Sequence, residues 1–128
     1  MKILLDTCAF LWIASDDKNL SAAARDCFQD TGNEVWLSAA SEWEIVVKHG
    51  AKKLVLPEPP DDFLPARRRA YGISALAISE EAVLRLARLP GLHKDPFDRM
   101  LVCQAIVEGC VILTPDPLIR QYPVRCEW

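Results

Sequence analysis

The sequence opens on MKILLDTCAFLWIA, residues 1–14, and this stretch decides the fold. Lys2 to Leu5 is a short apolar run of the kind that forms a buried strand, and the acid Asp6 ends it. Ala9 to Ala14 follows as a short helix. A buried strand that passes directly into a helix is typical of an α/β domain, in which helices connect parallel strands.

The alternation of strand and helix continues along the chain. Further strands are predicted at 34–38, 75–78 and 111–114, with a fifth at 124–126 on an edge of the sheet. Helices are predicted at 20–29, where Ser21 is the N-cap, and at 39–49, 63–71, 79–89 and 95–108. The segment 54–62 is rich in proline and is predicted to be a loop. The pattern predicts an α/β fold with a parallel sheet of four or five strands.

The composition is that of an ordinary globular domain. Of the 128 residues, 51% are hydrophobic and 26% are charged, which suits a single domain with a buried core. No segment reaches the roughly 18 uninterrupted apolar residues of a membrane span. Asp6 cuts the first apolar run too early for a signal peptide, so we expect a cytoplasmic protein. The five cysteines are odd in number and lack zinc-site spacing, so we expect them to be reduced and mostly buried.

The net charge of −3 argues mildly against nucleic acid as a partner. Two features weaken that objection. A carboxylate metal site would add acids that bound cations neutralise, and basic residues are clustered at Lys48-His49 with Lys52-Lys53 and at 67–69. Charge alone therefore does not decide between a nucleic-acid partner and a solvated surface.

Four acids occupy positions that an α/β sheet would bring together. Asp6 ends the first strand, Asp116 follows the fourth, and Glu44 and Asp98 lie near the starts of two helices. In such sheets the chemistry gathers beyond the carboxyl ends of the strands. Carboxylates held there repel one another by roughly 4 kcal/mol per pair at about 4 Å. A hard divalent cation with oxygen ligands is the usual way to hold such a cluster.

Each acid also has a purely structural explanation. Asp6, Asp95 and Asp116 are all placed to cap helices, and proline follows two of them at the first helical position. Glu44 could pair with Lys48 on the surface of its helix. Only the joint placement of the acids favours a metal site.

Other candidate residues remain open at this level. Arg99 is either a phosphate contact or an exposed partner of the acids. The two histidines, His49 and His93, are more typical of a surface or connector than of a catalytic site. Trp12, Trp36 and Trp43 could anchor a partner on an apolar patch, although burial in the core is the commoner role of tryptophan.

Beyond these single residues, four segments stand out together. They are Ile3-Leu4-Leu5-Asp6-Thr7; Ser38 to Ile45 with Lys48; His93 to Leu101 with Gln104-Ala105; and Leu113-Thr114 with Asp116. In these segments the chain resembles PIN-domain ribonucleases, and more narrowly the VapC-type toxins of bacterial toxin–antitoxin pairs, because the segments follow one another in the family's order and at its spacing. The Asp-Pro-Phe-Asp-Arg block together with the Trp-Glu-Ile block is the specific part of the match.

The resemblance implies one PIN domain over residues 1–128, with a three-layer α/β/α architecture. It implies that Asp6, Glu44, Asp98 and Asp116 hold Mg²⁺ or Mn²⁺. Asp95, Thr114, Lys48 and Arg99 become possible auxiliary residues. The family further implies an RNA substrate, a cognate antitoxin protein and a homodimer. Two departures stand out: Cys8 replaces a common histidine, and Pro115 precedes the last acid, whose role is thereby the least secure.

The resulting hypothesis is a Mg²⁺-dependent endoribonuclease toxin that hydrolyses RNA with a metal-activated water. The alternative is a non-catalytic PIN-like module that binds RNA or a protein. An aspartate-nucleophile phosphatase is disfavoured, because such enzymes require a second Asp two residues after the first, and this chain has Cys8 at that position.

Overall fold

The computed structural model describes all residues from 1 to 128 and contains a five-stranded sheet. The strands are β1 (Lys2–Leu5), β2 (Glu34–Ser38), β3 (Ser74–Leu76), β4 (Val111–Leu113) and β5 (Cys126–Glu127). Their spatial order is β3-β2-β1-β4-β5, and every neighbouring pair is parallel. The predicted parallel sheet is confirmed, including the short fifth strand at its edge.

Seven helices connect or follow these strands. They are α1 (Thr7–Ala14), α2 (Ala22–Gln29), α3 (Ala39–Gly50), α4 (Pro60–Ala70), α5 (Glu80–Arg85), α6 (Pro96–Glu108) and α7 (Pro117–Arg120), and a 3₁₀ turn, Leu86–Arg88, extends α5. The predicted loop 54–62 was wrong at its end, because α4 already begins at Pro60. Proline has a fixed φ and no N–H to lose in the first turn, so it starts a helix as readily as it ends one.

Helices cover both faces of the sheet and give three layers. Ile3 and Leu5 of β1 point into a core that also contains Phe10 of α1 and Phe63 of α4. Leu4 points to the opposite face, where it packs with residues of α5, α6 and α7. This two-way burial follows from the alternation of side chains along a strand, and it explains why β1 is apolar without interruption.

The strand order contains a reversal between β1 and β4. From β1 the chain first builds outward to β2 and β3, and it then crosses back to β4 and β5 on the other side. Leu5 lies opposite Leu113 in the register, so the residues that follow these two strands are neighbours. A crevice at the carboxyl ends of strands, where the order reverses, is the usual ligand site of an open α/β sheet.

The tryptophans and cysteines differ in part from expectation. Trp12 is half-buried against Trp128, and Trp36 packs against the second core cluster. Trp43 is 58% exposed, so the prediction of a core position is wrong for this residue. All five cysteines are free, as predicted, but only Cys103 and Cys110 are buried. No helix is both long and apolar enough to cross a membrane.

Gly109 ends α6 in the left-handed region, with φ of 69°. An added Cβ would meet no atom within 4 Å, so the cost of Gly109→Ala comes from the backbone alone. We expect this substitution to lower the free energy of unfolding by about 1 kcal/mol in urea titrations. Gly91→Ala is the matched control, since its Cβ is equally free of contacts and its φ is not left-handed. Equal stability of the two variants would contradict the prediction.

Candidate active site

A cavity of about 390 Å³ opens at the carboxyl ends of β1 and β4. The four acids predicted from the sequence all line it, and Asp95 joins them: Asp6, Glu44, Asp95, Asp98 and Asp116. They come from four separate segments of the chain. The strand reversal and the starts of α1, α6 and α7 bring them together, as the placement of the acids predicts.

Asp6 is the most deeply buried acid of the cavity, with 4% of its surface exposed. Its Oδ1 accepts the backbone N–H of Ala9 at 2.6 Å, so it caps α1. Its Oδ2 accepts a short hydrogen bond from the hydroxyl of Thr114. One oxygen is therefore held by the first turn of α1 and the other by the residue after β4, so the carboxylate has one fixed orientation.

Glu44 lies on the buried face of α3 and is 5% exposed. The Thr7 hydroxyl donates to Oε1 at 2.6 Å, and Lys48 Nζ lies 2.5 Å from Oε2. The i,i+4 pair with Lys48 predicted from the sequence is thus present, but Glu44 is not a surface residue. Lys48, one turn further along α3, and Thr7 of the neighbouring helix α1 therefore fix the Glu44 carboxylate at the cavity wall.

Asp95 and Asp98 lie together at the start of α6. Asp95 is the N-cap and accepts the backbone N–H groups of Phe97 at 2.9 Å and Asp98 at 3.0 Å. Capping thus occupies Asp95, whereas the carboxylate of Asp98 contacts a side chain. His93 Nε2 lies 3.3 Å from Asp98 Oδ2.

Asp116 caps the short helix α7 by accepting the N–H of Leu118 at 2.8 Å. Its own backbone N–H donates at 3.0 Å to the hydroxyl of Thr114, which in turn donates to Asp6. Thr114 is fully buried and ties the two acids at the ends of β1 and β4 to one hydroxyl. Pro115 does not remove Asp116 from the cavity.

Burial and like charge make the site unfavourable for free carboxylates. Burial raises the pKa of Asp6 to about 6, and the charges of Asp116 and Glu44 add to the rise. Burial and then the neighbouring charge of Asp95 also raise the pKa of Asp98 to about 6. Cys8 lines the same cavity, and burial raises the pKa of its thiol to about 12, so it stays protonated. Lys48 and Lys53 are the cationic side chains that line the cavity.

The chemistry of these donors fits a divalent cation of the magnesium type. Several carboxylates, two of them with a raised pKa, face one cavity, and hard cations prefer oxygen ligands of this kind. No three His, Cys, Asp or Glu side chains stand close enough together to form a compact ligand group. The acids are therefore spread around the cavity wall. The fit therefore rests on the charge and type of the donors.

Some contributors to the site are not predicted from the sequence. The hydroxyl of Thr7 supports Glu44, and the side chain of His93 is 9% exposed and contacts Asp98 rather than solvent. Arg99 does not line the cavity: its Nη1 donates to the carbonyl of Pro90 at 2.9 Å and to the hydroxyl of Tyr122 at 3.1 Å. Neither alternative considered for Arg99 describes this role. Such long-range contacts leave no local pattern in the sequence.

Thr114→Val should raise the pKa of Asp6 above its present value of about 6. The hydroxyl stabilises the charged carboxylate, and valine keeps a similar shape without a donor. Titration of the Asp6 carboxyl carbon by NMR measures the change. Thr114→Ser retains the hydroxyl and should leave the titration close to that of the wild type; a Val variant that behaves like the Ser variant would refute the role of this hydrogen bond.

Comparison with known proteins gives matches along most of the chain. The family model described as PIN domain matches residues 3–124. Ribonuclease VapC16 of Mycobacterium tuberculosis is 43% identical over 54 residues, which cover 42% of this chain and 38% of that protein. The aligned part of the chain thus spans well under half of the length of this curated relative.

Solved structures share the whole fold at low sequence identity. VapBC2 from Rickettsia felis, bound to a DNA fragment from its promoter, has a chain with a TM-score of 0.72 and 15% identity, covering 99% of this chain and 98% of that one. DNA-bound VapBC from Salmonella typhimurium gives a TM-score of 0.69 at 20% identity, covering 99% and 97%. At such identities the likeness establishes the architecture.

Proposed function

This chain belongs to the PIN-domain family, and we propose that it is a metal-dependent endoribonuclease, the toxin component of a type II toxin–antitoxin pair. The observation that carries the proposal is the convergence of Asp6, Glu44, Asp98 and Asp116 on one cavity at the strand reversal. The name of the relative VapC16 is that of a ribonuclease, which supports RNA as the substrate.

The four acids would hold Mg²⁺ or Mn²⁺, with Asp6 and Asp98 as the principal ligands. When bound there, the cation would supply a nucleophilic water at neutral pH and neutralise charge on the reacting phosphate. Glu44 and Asp116 complete the ring of acids. Thr7 and Thr114 keep the carboxylates of Glu44 and Asp6 in fixed orientations, so little reorganisation is needed at the moment of reaction.

The lysines at the cavity contribute opposite charge. Lys48 is 48% exposed and pairs with Glu44 at 2.5 Å, so it restrains that acid while its side chain stays partly open to solvent. Lys53 lines the same cavity and is exposed. Both are placed to attract an RNA backbone toward the carboxylates, which offsets the unfavourable net charge of the chain.

We also infer a cognate antitoxin protein as partner and a homodimeric state. The solved relatives are VapBC assemblies, which supports a protein partner for this chain as well. RNA is most accessible to such an enzyme in the cytoplasm, where we place it. Light scattering on the purified chain, alone and mixed with the product of an adjacent antitoxin gene, tests both the dimer and the complex.

The decisive experiment is cleavage of RNA by the purified protein. Total RNA incubated with Mg²⁺ or Mn²⁺ should give discrete fragments, and excess EDTA should stop the reaction because the acids alone cannot activate water. Filter binding runs in parallel with the same RNA. Retention of RNA in EDTA together with no fragmentation under any metal condition would replace the nuclease by the non-catalytic binding module.

A further inference from the structure

A second group of polar side chains lies behind the acidic cavity. It consists of His93 on the loop before α6, Arg99 on α6, and Tyr122 after α7. Tyr122 is 3% exposed, and its ring packs against that of His93 with the centroids 5.3 Å apart. The hydroxyl of Tyr122 is the point at which three nitrogen atoms meet.

Two of these nitrogens can only donate. The backbone N–H of His93 donates to the Tyr122 oxygen at 3.2 Å, and Arg99 Nη1 donates to it at 3.1 Å. A phenolic oxygen has two lone pairs and one hydrogen, so both acceptor positions are filled. The third nitrogen is His93 Nδ1, at 2.7 Å. The phenolic hydrogen is therefore directed to Nδ1, which accepts it.

This direction fixes the tautomer of His93. A neutral imidazole carries one N–H, so an accepting Nδ1 places the proton on Nε2. A proton on Nδ1 would instead set a third donor against the oxygen of Tyr122. Nε2 lies 3.3 Å from Asp98 Oδ2 and is thus a donor to that carboxylate. Because Oδ2 is engaged in this way, Oδ1 of Asp98 remains for the cavity.

We propose that His93 is a positioning residue: Tyr122, fixed by Arg99, holds it in the Nε2–H tautomer, and this N–H orients the carboxylate of Asp98 in the cavity. The proposal rests on the proposed function only in that Asp98 is taken as a metal ligand. The tautomer itself is a property of the metal-free protein. Hydrogen-bond partners of ligating side chains typically change metal affinity by about 10–100-fold when they are removed.

The tautomer is tested by nitrogen NMR of the histidine rings in metal-free protein at about pH 8, where an ordinary histidine is neutral. The chain has two histidines, so His49→Gln assigns the signals and His49 serves as the internal reference. We expect the proton of His93 on Nε2. Tyr122→Phe keeps the buried ring, removes the phenolic donor and should release His93 into a mixture of tautomers. A proton on Nδ1 in the wild type, or an unchanged ring in Tyr122→Phe, overturns the proposal.

The effect on Asp98 is tested by Mn²⁺ binding, followed by electron paramagnetic resonance or calorimetry. His93→Ala should weaken binding by about 10–100-fold. His93→Gln places an amide N–H near the position of Nε2 and should restore most of the affinity, whereas the shorter Asn in His93→Asn should not. Thermal melting checks that each variant is folded. Equal Mn²⁺ affinity in all four proteins overturns the positioning role.

The two proposals fail in different ways. If the wild type binds Mn²⁺ and the variants follow the expected order but no RNA is cleaved, the proposed function falls and the positioning role stands. If the wild type binds no Mn²⁺, the positioning of a metal ligand by His93 is overturned. If RNA is cleaved at the same rate and with the same Mn²⁺ dependence by wild type and His93→Ala, only the role of His93 is lost.

Discussion

Asp6→Asn and Asp98→Asn proteins are expected to fold normally and to cleave RNA at least about 10³-fold more slowly than the wild type. That factor corresponds to about 4 kcal/mol of transition-state stabilisation, the scale of a metal ion's contribution. The fold should survive Asp6→Asn because asparagine caps a helix about as well as aspartate, and it should survive Asp98→Asn because Asp95, not Asp98, caps α6. At position 6 the amide oxygen can still accept the N–H of Ala9, now 2.6 Å from Oδ1.

The measurement is the initial rate of RNA cleavage in Mg²⁺, with circular dichroism as the check on folding. Asp61→Asn is the matched control, since Asp61 lies in the first turn of α4, is exposed and does not line the cavity. This control should cleave RNA at the wild-type rate. Cleavage by Asp6→Asn or Asp98→Asn at the wild-type rate would contradict the proposed function, because loss of a metal ligand must slow a metal-dependent reaction.

The second large effect is on the stability of the metal-free protein as a function of pH. The pKa of Asp6 is about 6 in the folded state, against an ordinary value of 3.8 for an aspartate carboxyl group. The folded state therefore binds this proton more tightly than the unfolded chain does. The contribution of Asp6 to stability is fully present below about pH 4 and is lost as the pH rises through about 6. A shift of this size corresponds to roughly 3 kcal/mol.

Urea unfolding in EDTA at several pH values isolates this contribution when the wild type is compared with Asp6→Asn. Between about pH 4 and pH 8, the unfolding free energy of the wild type should fall relative to that of Asp6→Asn by up to roughly 3 kcal/mol. Added Mg²⁺ should restore stability to the wild type at neutral pH and have less effect on the variant. If the difference in unfolding free energy between the two proteins does not depend on pH, burial does not raise the pKa of Asp6.

The fold could be predicted from the sequence because its signals are local. The uninterrupted apolar runs at β1 and β4, the serine cap of α2 and the glycine after α6 each act within a few residues. The convergence of the acids followed from one rule, that parallel strands end at the same edge of a sheet. The start of α4 was missed, since Pro60 suits both a loop and a first helical turn.

The supporting contacts of the site could not be predicted in the same way. Thr114 reaches Asp6 across 108 positions of the chain, and Tyr122 reaches His93 across 29. These contacts depend on strand order and on the packing of α6 and α7, neither of which has a local signature. Arg99 is the clearest case, because its neighbour Asp98 points toward the cavity while the guanidinium turns to the carbonyl of Pro90.

The position of β1 in the middle of the sheet has a consequence for biosynthesis. Its first partner, β2, is translated soon afterwards, but β4 is translated only after helices α1 to α6. A nascent chain on its ribosome has Asp6 and Glu44 but lacks the strand that brings Asp116 beside them. The proposed nuclease is therefore harmless to the ribosome that makes it until β4 has been made and has paired with β1. A premature stop before Val111 should yield an inert polypeptide.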